Sequence, residues 1–221
     1  MNSERASGVV LRIRPLTDSS LIVHWLTAGL GRLATVAKGA RRPKSPLRGQ
    51  LDLFYLADLS FARSRRSELH TLREVKVLET HRGLRQDLAH LQQACYCALL
   101  IEQTTETEAP LGALFDQFTR LLSVLPTEPA RPQTIFAFEM KLLEELGLKP
   151  NLAGTKLSAG ARQILERMAE LEWDAVFRLR LSAAQAEEIR QFLHGFLVYH
   201  LEKIPRGRSA ALGGDGSGRS T

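Results

Sequence analysis

Arg32-Leu33-Ala34-Thr35-Val36-Ala37 runs without a break into Lys38-Gly39-Ala40-Arg41-Arg42-Pro43-Lys44-Ser45-Pro46-Leu47-Arg48. The first six residues read as a strand. The next eleven hold five cations and no acid. Two prolines and a glycine bar this stretch from being a continuous helix or a central strand. Its cations therefore sit on a loop, where burial is costly. Such a loop either stays in solvent or meets an anion.

Upstream, Gly8 to Leu16 alternates apolar and cationic residues, so a strand would carry Val9, Leu11 and Ile13 on one face and Arg12 and Arg14 on the other. Thr17-Asp18-Ser19-Ser20 is a polar turn, and Leu21 to Thr27 is β-branched and aromatic. Ala28-Gly29-Leu30-Gly31 reads as a hairpin connection into the strand Arg32–Ala37. Downstream, Leu51–Phe61 is long enough for one bent strand or two short ones, Ser64-Arg65-Arg66-Ser67 is a second basic turn, and Glu68–Val77 closes the β region. About five strands with short turns suggest a small barrel or sandwich. An oligonucleotide-binding (OB) barrel best suits a cationic loop beside an arginine-bearing face. Periodicity does not separate it from an SH3-like barrel.

Near residue 80 the period changes to that of a helix. Leu84, Leu88, Leu91, Cys95 and Ala98 share one helical face, Ala109-Pro110 interrupts, and Leu111 to Leu125 gives a second helix. A proline-rich connector, Pro126 to Pro132, leads to a third helix over about 134–146 that Gly147 stops. Residues 148–160 are loop-like, and helical patterns resume at about 161–177 and 183–202. From Ala210 onward the chain is rich in glycine and serine, which predicts disorder.

The formal net charge is +6, and residues 1–76 hold 14 Lys/Arg against 6 Asp/Glu, leaving 16 against 18 for the rest. A basic segment joined to a neutral one points to a polyanionic partner. No membrane span or secretory signal is visible, and two cysteines, Cys95 and Cys97, make no disulfide framework, so a cytoplasmic location is expected. On a helix these cysteines point to different sides and cannot chelate together. His194, His200, Glu144 and Glu145 form no metal or catalytic set, and no phosphate loop or nucleophile motif is present. Neither enzymatic activity nor a cofactor is expected.

Binding has a physical basis instead. Lys38, Arg41, Arg42, Lys44 and Arg48 offer phosphate contacts, and Arg12, Arg14 and Arg32 on adjoining strands could extend the path. Trp25, Phe54, Tyr55 and Phe61 are aromatic residues that could stack with bases, though they suit a core equally well.

The succession Gly8-Val9-Val10-Leu11-Arg12, Leu21-Ile22-Val23, Leu26-Thr27, Gly31-Arg32-Leu33 and Lys38 to Ser45 resembles the N-terminal domain of the RecO family of bacterial recombination mediators. The Ala-Lys-Gly-Ala-Arg-Arg run with its following serine and Leu51 carries most of the likeness. Glu139 to Leu148 resembles the family's third-helix ending, Leu-Gly-Leu, and the likeness covers about residues 6–205. It implies an α+β multidomain chain. A five-stranded OB-fold DNA-binding domain would occupy residues 1–79, an all-α helical domain 80–206 and a disordered tail 207–221. It further implies binding to single- and double-stranded DNA, annealing of complementary strands, and loading of recombinase onto strands coated by single-strand-binding protein. RecR and that coating protein are the implied protein partners, with no membrane, and the location would be the cytoplasm at the nucleoid. Lys38, Arg41, Arg42 and Lys44 match the family's DNA-binding loop. Many members carry a four-cysteine zinc site after Leu-Gly-Leu-x-Pro; here Asn151 to Lys156 stand there and no cysteine follows Cys97. An RNA- or ribosome-associated OB adaptor is the alternative, since phosphate attraction does not select the sugar.

Overall fold

Val10, Val23, Trp25, Leu33, Ala57, Leu59, Phe61 and Leu72 are buried in one cluster, and together they explain why the β-rich residues close on themselves. In the computed structural model, which describes residues 3–201 and 203–213, these residues come from five strands. They are β1 (Ser3–Pro15), β2 (Leu21–Thr27), β3 (Gly31–Ala37), β4 (Leu56–Ala62) and β5 (Leu69–Glu79). The barrel closes in the order β1-β2-β3-β5-β4, with β1 paired to both β2 and β4. All ladders are antiparallel except β3 with β5. That one parallel pairing, with β1 shared at the closure, is the OB arrangement that periodicity left open. Of Leu51–Phe61, only the part from Leu56 is strand.

β1 departs from the alternation expected of it. Val10 faces Trp25 and Arg12 faces His24, so Leu11 is an extra residue in the ladder, a bulge. Val10 and Ile13 consequently share the barrel interior, while Val9 and Leu11 are buried outside that cluster. Arg12 and Arg14 remain together on the open side.

The chain forms two compact units. The barrel unit runs to Arg82 and also takes Thr105–Thr119, a stretch that sequence pattern assigns to the helical domain. Hydrogen bonding gives the reason. β3 meets β5 over only Ala34–Val36, and Thr107 bridges to Arg32 in parallel beyond that ladder. The Glu108 N–H donates to the Arg32 carbonyl at 2.7 Å. An otherwise open strand edge is thereby covered. Gly31, at φ +67°, makes room for this, because a Cβ there would lie 1.9 Å from the Ala109 carbonyl oxygen.

The second unit comprises Gly83–Thr104 and the residues from Arg120 onward. Its helices are α1 (Leu88–Thr104), the end of α2 (Gly112–Val124), α3 (Pro132–Glu145), α4 (Ala159–Met168), α5 (Trp173–Arg178), α6 (Ala183–Leu201) and the short α7 (Arg208–Ala211). α3 is its centre: every residue from Gln133 to Leu143 is buried, with α1, α4, α5 and α6 packed around it. Gly147 takes φ +71° just past α3, and the Leu148 N–H returns to the Leu143 carbonyl at 2.7 Å, the helix stop expected from the sequence.

Three expectations in this unit are corrected. The buried residues of α1 are His90, Gln93, Ala94, Tyr96, Cys97, Ala98, Leu100 and Ile101; of the expected face Leu84 and Ala98 are buried, Leu91 and Cys95 are half-buried, and Leu88 is 69% exposed. The polar members tolerate burial because His90 Nε2 bonds the Glu128 carbonyl at 2.8 Å and Gln93 Nε2 donates to the carbonyls of Arg131 and Ala211. The helix expected over 161–177 is two helices, since the Leu171 N–H closes α4 on the Arg167 carbonyl and Glu172 is extended before Trp173. The expected disordered tail begins too early: α7 lies within 207–221, with Arg208, Ala211 and Leu212 buried. Residues 214–221 lie outside the described ones.

Candidate nucleic-acid interface

The basic loop is a chain of successive turns. The N–H groups of Arg42, Ser45, Arg48 and Gln50 donate to the carbonyls of Gly39, Arg42, Ser45 and Leu47. Two apolar side chains, Ala40 and Leu47, join the barrel core. The Arg41 N–H donates to the Ser19 carbonyl at 3.0 Å and the Gly39 N–H to Ser20 Oγ at 3.3 Å, tying the loop to the β1–β2 turn. Between these anchors Lys38, Arg41, Arg42, Lys44 and Arg48 are all exposed. No carboxylate lies within 4.0 Å of any of them among the described residues. Arg48 turns back, donating to the Pro43 carbonyl at 3.3 Å. Four cations thus project from a backbone of fixed shape, and the fifth braces it.

Arg12, Arg14 and Arg32 converge elsewhere on the barrel. The register aligns Arg12, His24 and Ala34 across three strands, and Arg14 stands two residues further along β1. With Trp25, Leu33, Glu68, Leu69 and Thr107 these residues line a concavity of ≈ 230 Å³. Arg12 and Arg14 are exposed and Arg32 is half-buried. Arg32 Nε donates to Thr105 Oγ1 at 2.8 Å, and its guanidinium also reaches the Thr105 carbonyl, so it serves the strand edge as well as the concavity. Burial, together with the charges of Arg12, Arg14 and Arg32, lowers the His24 imidazole to about 4. His24 is therefore neutral at pH 7 in a positive field.

Of the three arginines Arg14 stands nearest the basic loop, whereas Arg32 stands at the opposite end of β3. Pro15 faces Leu21, which faces Ala37, and the basic loop leaves directly after Ala37. Arg14 precedes that row by one residue. Sequence reasoning had the arginines but not His24 or Glu68, because neither stands out until the bulge at Leu11 fixes which β2 residue faces Arg12. The second basic turn borders a neighbouring depression lined by Arg63, Arg65, Arg66, Glu68, His70 and Glu108.

Stacking is more restricted than the aromatic content suggests. Trp25, Phe54 and Phe61 are buried, with Trp25 Nε1 donating to Thr35 Oγ1 at 2.9 Å. Tyr55 is half-buried. The residues where the zinc site of the resembled family would stand form a loop closed by its own turns: Leu152 and Leu157 are buried, and Thr155 Oγ1 donates to the Leu152 carbonyl at 2.9 Å. Among the described residues no group of three His, Cys, Asp or Glu could hold a metal ion. Cys97 is buried and Cys95 half-buried, and burial pushes both thiols up. No helix among the described residues is long and apolar enough to cross a membrane.

Residues 1–81 match the family model for the N-terminal part of recombination protein O, and residues 85–154 match the model for its C-terminal part. The chain is 36% identical over 151 residues to the DNA repair protein RecO of Alkaliphilus metalliredigens, a match covering 67% of this chain and 60% of that protein. With the DNA repair protein RecO of Rhodopirellula baltica it is 32% identical over 143 residues, or 65% and 53% of the two chains. These matches span less than two thirds of either relative. With the protein of the same name from Anaeromyxobacter dehalogenans it is 29% identical over 235 residues, covering 91% of this chain and 92% of that one. The barrel, the helical unit and these matches agree: the chain belongs to the RecO family, whose relatives named here are DNA repair proteins.

Proposed function

We propose that this chain is a non-enzymatic mediator of recombinational DNA repair, cytoplasmic and associated with the nucleoid. It binds single- and double-stranded DNA, anneals complementary strands and helps load recombinase onto strands coated by single-strand-binding protein, acting with RecR. The observation that carries the reading is the loop of Lys38, Arg41, Arg42, Lys44 and Arg48, exposed and held in shape by Ala40 and Leu47. Fixed cations contact phosphates at a small ordering cost, and phosphate contacts do not depend on base sequence, as annealing arbitrary strands requires.

The test is the combined replacement of Lys38, Arg41, Arg42 and Lys44 by alanine. Each lost phosphate contact should shallow the slope of log affinity against log salt by about 0.7 on single strands and about 0.9 on duplex. Affinity should fall alike on every sequence, and annealing should fall with it. Superimposable slopes from two folded proteins would overturn the assignment of this loop. Tighter binding to RNA than to matched DNA would favour an RNA adaptor. Annealing of coated strands with and without RecR tests the partners.

A further inference from the structure

The concavity around Arg12, Arg14 and Arg32 has a fourth basic group in its lining, His24, which the proposed function does not use. We propose that this concavity is a proton-linked seat for a nucleic-acid phosphodiester, in which His24 gains a proton as the phosphate enters and becomes its fourth cationic partner. The inference rests on the DNA-binding reading above and assigns a second contact point to it, distinct from the basic loop.

Geometry comes first. The bulge at Leu11 sets Arg12 opposite His24 and leaves Arg14 on the same open side. Arg32 approaches from β3, and Glu68 is the one carboxylate among the lining residues. Burial of the imidazole comes first in disfavouring a further proton, and the charges of Arg12, Arg14 and Arg32 beside it add to that effect. The free imidazole accordingly titrates at about 4. A phosphodiester reverses the local sign: its charge offsets the arginines, and an imidazolium N–H makes a charge-assisted bond to its oxygen. Binding then raises the imidazole's affinity for protons. By linkage, a group that takes up a proton on binding makes binding tighter as pH falls, across the window between its free and bound values.

The experiment uses the full chain and a short labelled oligothymidylate at constant ionic strength. For the wild type, affinity should rise about threefold or more from pH 7 to pH 5.5, with a ceiling of tenfold per pH unit for one proton. His24→Gln should flatten this dependence, and Glu68→Gln should retain it. Calorimetry in two buffers of different ionisation enthalpy should show proton uptake on binding by the wild type. Should His24→Gln fail to fold, the wild-type His24 ring resonances decide the matter. A titration midpoint moved upward by the oligonucleotide supports the proposal, and an unmoved one overturns it. Equal pH slopes in wild type and His24→Gln, with binding still sensitive to the loop cations, would overturn the proton-linked seat alone. Absence of any binding by the wild type would strike the DNA-binding reading itself and this inference with it.

Discussion

Glu139 lies fully buried on α3, and three donors reach it. Arg208 Nε and Nη2 donate to its two oxygens at 2.7 and 2.9 Å, and the Tyr96 hydroxyl donates to Oε1 at 2.6 Å. A carboxylate so placed is tolerable only while that set is complete. Arg208→Ala should therefore cost the helical unit about 3–5 kcal/mol, read as a lower denaturation midpoint at unchanged slope. Replacing Glu139, Arg208 and Tyr96 together by apolar residues of similar volume should cost far less. This site was not legible in the sequence. Arg208 stands among small and polar residues, and its partner is 69 positions away. Composition weighs the glycines and serines of the run and misses both the buried Ala211 and Leu212 and one side chain whose partner is distant. Leu11 is a parallel case, since alternation identified β1 and a bulge visible only in pairing reversed which neighbours face the core.

Elements show the same division between what is local and what is not. The five strands and the stop of α3 follow from local pattern, and so does the basic loop. The inward placement of Ala40 and Leu47 does not, because the loop has no period to read. Leu47 is nonetheless the larger of the two side chains the loop gives to the barrel core, and Leu47→Ala should lower stability by about 2–3 kcal/mol. If fixed shape is what the anchor provides, DNA affinity should fall while the salt slope stays as it was. The same cations would still reach phosphate, at a larger ordering cost. Binding isotherms at several salt concentrations check both halves. The connector on β3 offers a test by pH. His70 Nδ1 accepts from the Ser64 N–H, so Nε2 carries the proton donated to Glu108 at 2.7 Å, and Arg63 joins Glu108 to Glu4. The hydrogen bond from His70, followed by that from Arg63, holds the Glu108 carboxyl below the usual range. A lowered carboxyl stabilises the fold above its unfolded value, about 4.3, and that contribution is lost as pH falls through the folded one. Glu108→Gln should thus be less stable at neutral pH by about 1 kcal/mol or less, given its partial exposure, and the two stability curves should converge as pH falls through the lowered folded value.

At the scale of the whole molecule, charge is divided much as the two units are. The first 76 residues are strongly basic and the remainder is slightly acidic, so the excess positive charge lies in the barrel unit. The helical unit is organised around α3 and closed by α7, without a described cluster of metal-binding side chains. Its loop over 151–157 is held by buried leucines and turn hydrogen bonds. Treatment with a chelator should therefore leave the melting curve where it was, and metal analysis of the purified protein should find no stoichiometric zinc. A drop of several degrees would show a metal that stabilises this fold.

The bond between Glu139 and Arg208 also sets a timetable. Translation adds roughly 5–20 residues each second, so a gap of 69 positions separates the two side chains by roughly 3–14 s. During that interval α3 is already synthesised, yet its central carboxylate has no guanidinium to face. A nascent chain in this state keeps Glu139 in water, with α3 undocked. The barrel meets a shorter delay, because Thr105–Glu108 follow β5 by only a few dozen residues. Vectorial synthesis therefore favours a barrel that matures first, while the helical unit is still waiting for its last partner.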